Sequence, residues 1–299
     1  MYLTPCWANI TTTTINMTES IFHLFEYEFF RNAVFAALLA SLTCGVVGSY
    51  IVAKRMVFIS GGITHASFGG IGIAYYLGLN PVLGAAVFSI LSALGIEYVS
   101  GKTNVREDSA IGILWSFGMA LGIIFVFMTP GYAPNLMSYL FGSILTVGRT
   151  DLWLMVALSA VILIFFIRFY HIILFIAFDE EYARSHRIAV NLFKYIIISL
   201  VALTIVLNIR VVGIILVISF LTIPQSTANL FTNNLRQMMV YSTLIGIAGS
   251  LSGIYISYFM NIPSGATIIF AFVVIFGIAK AVQVGMIKAG IRKKMKSEE

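Results

Sequence analysis

One histidine stands where an apolar chain is richest in glycine. Residues 60–72 read Ser-Gly-Gly-Ile-Thr-His-Ala-Ser-Phe-Gly-Gly-Ile-Gly, with His65 flanked by the hydroxyls of Thr64 and Ser67. An ionisable group inside an apolar run is costly, so function is its default reading; the alternative is a packing hydrogen bond near an interface. Each glycine weakens a helix by about 1 kcal/mol relative to alanine, which sets this segment apart. Glu97, near the end of the next apolar run, is the other ionisable candidate. Its alternative is snorkelling to the interface. Pro224 removes a backbone donor within another run, which makes either a hinge or a static kink. The longest polar interruption reads Phe178-Asp-Glu-Glu-Tyr-Ala-Arg-Ser-His-Arg-Ile-Ala-Val190. Acids lead it at Asp179, Glu180 and Glu181; Arg184, His186 and Arg187 follow, an order that matches the helix dipole at both ends. Asp179 can cap such a helix. With Phe178, Tyr182 and Ile188 as apolar contacts, the segment reads as a short helix that docks a soluble partner, or as a solvated connector.

Enzymatic chemistry finds little support. There is no Gly-x-Ser-x-Gly and no His-Glu-x-x-His. Gly95-Ile-Glu-Tyr-Val-Ser-Gly-Lys-Thr103 imitates a phosphate-binding loop but has five residues between its glycines, where that loop needs four. The chain is therefore not expected to hydrolyse ATP itself. Cys6 and Cys44 cannot make a disulfide framework, and no Cys/His spacing indicates structural zinc.

The elements that must position these groups are membrane spans. Of 299 residues 60% are hydrophobic and 10% charged, with mean hydropathy +0.98. Soluble domains run near 45–50% and about 25%. Nine segments are long and apolar enough for helices, near 30–53, 58–78, 81–100, 109–129, 151–170, 191–208, 211–231, 238–260 and 265–287. Residues 130–150 are ambiguous, so the range is eight to ten spans, with nine preferred. The runs are continuous, unlike the alternating ten-residue strands of a barrel. The fold class is thus all-α, a polytopic transmembrane helix bundle over 30–287, between a polar extension at 1–29 and a basic tail at 288–299. Small residues recur at packing spacing: Gly45 and Gly48, Gly118 and Gly122, Gly249 and Gly253. Asp108 and Asp151 suit the starts of the fourth and fifth spans, with Thr150 as a cap for the latter.

Placing 171–190 in the cytoplasm puts all but Arg31, Arg149 and Arg210 of the 18 lysines and arginines on that side. The N-terminus is then outside and the tail inside. The net charge of +6 is explained by a phospholipid surface, and nucleic acid is not an expected partner. The Thr-rich first 18 residues lack a signal peptide's basic start and apolar core, and Met17 opens a compact lead into the first span as a possible true start.

Taken together and in order, several segments resemble the permease subunit of ABC-type importers for zinc, manganese or iron. They are Gly45-Val-Val-Gly-Ser-Tyr-Ile-Val-Ala-Lys-Arg55, Thr64-His-Ala66 with Gly70, Glu107-Asp-Ser-Ala-Ile-Gly-Ile113 and Tyr139-Leu-Phe-Gly-Ser-Ile144. Phe178-Asp-Glu-Glu-Tyr-Ala183, Val212-Gly-Ile-Ile-Leu-Val217, Leu221-Thr-Ile-Pro224 and Ile262-Pro-Ser-Gly265 complete the set. The resemblance implies a type II importer-like fold in a plasma or inner membrane. It implies a second copy of the chain, a separate cytoplasmic ATPase, an extracytoplasmic binding protein, and a transported metal with no permanently bound cofactor. Residues 178–190 become the coupling segment, with Phe178, Asp179, Glu180, Glu181, Tyr182 and Arg184 at the ATPase; His65 lines the metal path. Two positions depart from the family pattern: Gly61 stands where an acid is common, one turn before His65, and Arg187 stands where glycine is usual. The alternatives are a permease for a metal chelate of siderophore or cobalamin type and an ion-coupled secondary transporter.

Overall fold

A computed structural model describes residues 25–102, 106–130, 144 and 147–297. The described residues form eleven helices: α1 (Glu28–Ala53), α2 (Val57–Tyr76), α3 (Pro81–Lys102), α4 (Glu107–Met128), α5 (Arg149–Arg168), α6 (Tyr170–Phe178), α7 (Glu180–Ser185), α8 (Val190–Val212), α9 (Ile214–Asn229), α10 (Leu235–Met260) and α11 (Ser264–Ser297). Most of the polar N-terminal extension, the possible start at Met17 and the Tyr139-to-Ser143 part of its motif lie outside the described residues.

Eight of these helices are long and apolar enough to cross a membrane; α9, with 16 residues, is the shorter ninth. At 1.5 Å per residue α9 spans about 24 Å, less than the roughly 30 Å hydrocarbon core. One face of it is nevertheless buried along its length, from Ile214 to Ala228, so it packs on protein there although it is short for a span. Gly213 separates it from α8 with φ of 83°, a conformation open chiefly to glycine. The break therefore comes at Gly213, a few residues from the expected boundary.

Segment ends fall as the charge distribution requires. Glu28 and Arg149 pair at one end of α1 and α5, and Lys54 pairs with Glu180 at the other. α10 runs antiparallel to α1, with Ser250 against Ser41 and Ser242 against Ser49. α11 continues into the basic tail as far as Ser297. α6 is a correction to the loop expected at 171–190, because its first half is a nine-residue apolar helix. Tyr170 and Leu174 of α6 pack against the cluster of Ala228, Leu235 and Met238.

The glycines do their work laterally. α2 packs most extensively on α4 and α3. A Cβ on Gly118 would lie 2.5 Å from the Ala66 Cα, and one on Gly122 would lie 2.6 Å from the Phe68 carbonyl oxygen. Gly249 and Gly253 receive Phe272 and Ile268 of α11 in the same way. Gly118→Val should therefore separate α2 from α4 and lower both the yield and the melting temperature of the chain in detergent, since overpacking costs about 1–3 kcal/mol. Gly112→Val, on the same helix but with open space at its Cβ, should leave both unchanged.

The start of α5 also differs from expectation. Thr150 lies within the helix, whose N-cap is Gly148; the Asp151 carboxylate accepts from the Gly148 N–H at 3.4 Å. The acid is where the dipole wants it, and the cap is a glycine.

Candidate functional site

His65 lies near the middle of α2, half-buried. Its ring stacks on Trp115 of α4, with centroids 4.1 Å apart and planes 7° from parallel. The stack fixes the ring's orientation. Its Nδ1 is buried and has no hydrogen-bond partner among the described residues. The hydroxyls around it are spent on their own helix: Thr64 Oγ1 donates to the Ser60 carbonyl and Ser67 Oγ to the Thr64 carbonyl, each at 2.6 Å. A packing hydrogen bond is thus absent at Nδ1, and the neutral ring keeps one lone pair, on whichever nitrogen lacks the proton, of the kind a transition metal takes. A Cβ at Gly61 would meet Trp115 at an ordinary 3.8 Å, so crowding does not explain the missing acid. No group of three or more His, Cys, Asp or Glu that could hold a metal occurs among the described residues.

Pro224 lies within α9 and deprives the Phe220 carbonyl of its helical donor. Gln225 makes good the loss. Its Nε2 donates to the Phe220 carbonyl at 2.9 Å and to the Cys44 carbonyl of α1 at 2.7 Å. The same side chain therefore satisfies the break and staples α9 to α1, where Gly48 gives it room. The freed carbonyl is thus satisfied, while the Gln225 Oε1 is buried with no hydrogen-bond partner among the described residues. Cys44 is buried and unpaired, as a packed residue.

Glu97 belongs to a different neighbourhood. Its carboxylate accepts from Lys194 of α8 at 2.8 Å. Lys194 also lies 3.4 Å from Glu180, and Glu180 accepts from Lys54 at 2.5 Å. The four charges surround a cavity of about 280 Å³, lined also by Tyr50, Met56, Ile59 and Ile96, at the inner ends of α1, α3 and α8. Glu97 is thus a counter-ion to Lys194 in this arrangement, and no described contact joins it to His65.

The polar interruption folds as the charge order requires. Asp179 is the N-cap of α7, its side chain accepting from the Tyr182 N–H at 2.9 Å. The helix closes with Arg187 N–H on the Arg184 carbonyl and Ile188 N–H on the Ala183 carbonyl, a Schellman turn. Arg187 occupies its left-handed position with φ of 55°. That geometry gives a physical reason for the glycine usual there, since a side chain in the left-handed region costs about 1–2 kcal/mol. The candidate residues do not share one face. Phe178 is 61% exposed and Tyr182 44%, and Glu181 is exposed beside them. Arg184 donates to Asn191 at 3.0 Å, and Glu180 turns inward to Lys54 and Lys194.

Burial alone would raise the Glu180 carboxyl's pKa, but the Lys54 hydrogen bond and the charges of Lys194 and Lys54 together hold it below its ordinary value. A carboxyl lowered on folding contributes stability at all pH above its ordinary value near 4.5, and loses it as pH falls through the lowered one. Amide exchange of residues 180–186 should therefore stay slow as pH drops to about 4.5 and quicken only below it, after correction for intrinsic exchange. Quickening already near pH 6 would show that Glu180 is not so held.

Comparison with known proteins adds sequence and fold evidence. The family profile "ABC 3 transport family" matches residues 26–283. An uncharacterized membrane protein of Synechocystis sp. is 43% identical over 86% of this chain and 91% of its own length. The manganese transport system membrane protein MntC of Halalkalibacterium halodurans is 36% identical, over 88% of this chain and 90% of its own. The solved structure "PsaBC from Streptococcus pneumoniae in complex with Fab" superposes with TM-score 0.79 at 33% identity, covering 88% of this chain and 95% of that one.

Proposed function

The chain belongs to the ABC 3 transport family, and from that premise we propose that it is the membrane permease of an ATP-driven importer carrying a divalent transition metal into the cytoplasm. Manganese comes first among manganese, zinc and iron, because relatives such as the Halalkalibacterium protein bear a manganese transport name. The observation that carries the reading is the family match across the whole bundle, 26–283. At the inner face of that bundle Phe178, ending α6, and Glu181 and Tyr182 of α7 are exposed, a surface fit for a soluble ATPase. The complex comprises two copies of this chain, two ATPase subunits and an extracytoplasmic binding protein that delivers the ion.

His65 lends the passing ion a nitrogen, with its ring held by Trp115. A transient ligand of this kind suits transport, since an ion bound by many groups would not leave. ATP binding closes the ATPases, and α7 conveys that motion to the inner ends of the spans. Cells dependent on this chain and starved of manganese, zinc or iron in turn provide the test. Metal content measured by mass spectrometry should drop for one ion on deletion and recover on re-expression. Unchanged content for all three would remove the reading.

A further inference from the structure

We propose that Glu180 is the fastening point that ties α7 to spans with which it shares no chain connection, so that Glu180, Lys54, Lys194 and Glu97 are positioning residues for the transmission of ATPase motion. The inference deepens the proposed function and rests on its reading of α7 as the ATPase contact. α7 has only six residues, roughly 9 Å of helix. Its backbone packs mainly on α6 and α8, the two helices that adjoin it in the chain. A push on α7 reaches α8 along the chain itself. It reaches α1 and α3 indirectly through α8, which packs on both, and directly only through side chains.

Glu180 supplies that connection. It bonds Lys54, the C-cap residue of α1, across 126 positions of sequence. Lys194 stands 3.4 Å away and passes the link to Glu97 of α3 at 2.8 Å. Two carboxylates and two ammonium groups balance, so the group is neutral as a whole. All four side chains are half-buried, with relative exposures between 19% and 29%. Removing one carboxylate leaves an uncompensated positive charge in a partly dry cavity, which is far more disruptive than losing a pair at an exposed surface. Beside it, Ala183 of α7 is fully buried against Ile176 and Val190, which seats the helix but reaches neither α1 nor α3. The apolar seat holds α7 down; the charges add its one direct link to α1 and, through Lys194, to α3 among the described contacts.

Two readouts test the proposal on the full chain. The first is trypsin cleavage after the exposed Arg184 and Arg187 in the purified permease. Glu180→Gln should speed it about tenfold, and Lys54→Gln, which removes the partner on α1, should speed it as well. Unchanged cleavage in Glu180→Gln overturns the fastening, and so does unchanged cleavage in Lys54→Gln. The second is metal taken up per ATP hydrolysed by the reconstituted complex, with manganese, zinc and iron as the probes. Glu180→Gln should keep the ATPase bound and lower that ratio at least fivefold; a normal ratio overturns the transmission role. A wild-type complex that moves none of the three ions, while cleavage still responds to Glu180→Gln, overturns the transport reading and upholds the fastening.

Discussion

Replacing His65 with alanine is expected to lower ATP-driven metal uptake at least tenfold at unchanged expression. The expectation follows from an imidazole whose Nδ1 is buried without a partner in the middle of a span. Loss of groups that merely orient a metal ligand typically costs 10–100-fold, and a ligand itself should cost no less. The stack on Trp115 offers a competing explanation, because any truncation would remove it. His65→Phe separates the two. Phenylalanine can keep the flat face against the indole but offers no nitrogen. The ligand account predicts that His65→Phe is as impaired as His65→Ala. Wild-type uptake by His65→Phe would return the residue to packing.

The second large effect lies at the exposed end of α6, just before α7. Phe178→Ala should lower the affinity of the permease for its ATPase by about 2 kcal/mol, roughly thirtyfold, because aromatic anchors carry most of an interface's energy. Phe178 is 61% exposed, so the permease itself should fold and insert as before. Retained ATPase in a pull-down quantified against wild type would show that the contact lies elsewhere. Reversing Asp179, Glu180 and Glu181 together is a poorer test of the same idea. Asp179 caps the helix and Glu180 holds α1, so only Glu181 reports on the outer surface.

How much of this was legible along the chain divides by direction. Spans could be read because a run of about 20 apolar residues is a local property, and so could the capped α7, whose Asp179 lies three residues from the N–H it satisfies. Lateral contacts could not be read. Hydropathy does not say which helix meets which, so nothing local announced that Lys54 meets Glu180 or that Glu97 meets Lys194. Glu97 was ambiguous between ligand and snorkelling residue for want of that partner. The glycines around His65 illustrate the same limit. Read locally they weaken a helix; in the bundle Gly69, Gly70 and Gly72 let α3 and α4 approach α2 closely. Gln225 carries no distinctive spacing along the chain; only the carbonyl that Pro224 frees gives its fully buried amide a role.

The central claim is ATP-driven movement of a divalent metal through this chain. The most direct measurement is uptake of radioactive manganese, zinc and iron into vesicles holding the permease with its ATPase and binding protein. The account predicts accumulation of one of these ions, manganese first, that requires ATP and disappears when the ATPase is omitted. No accumulation of any of the three by an intact complex, or accumulation along an ion gradient with no ATPase present, would contradict it.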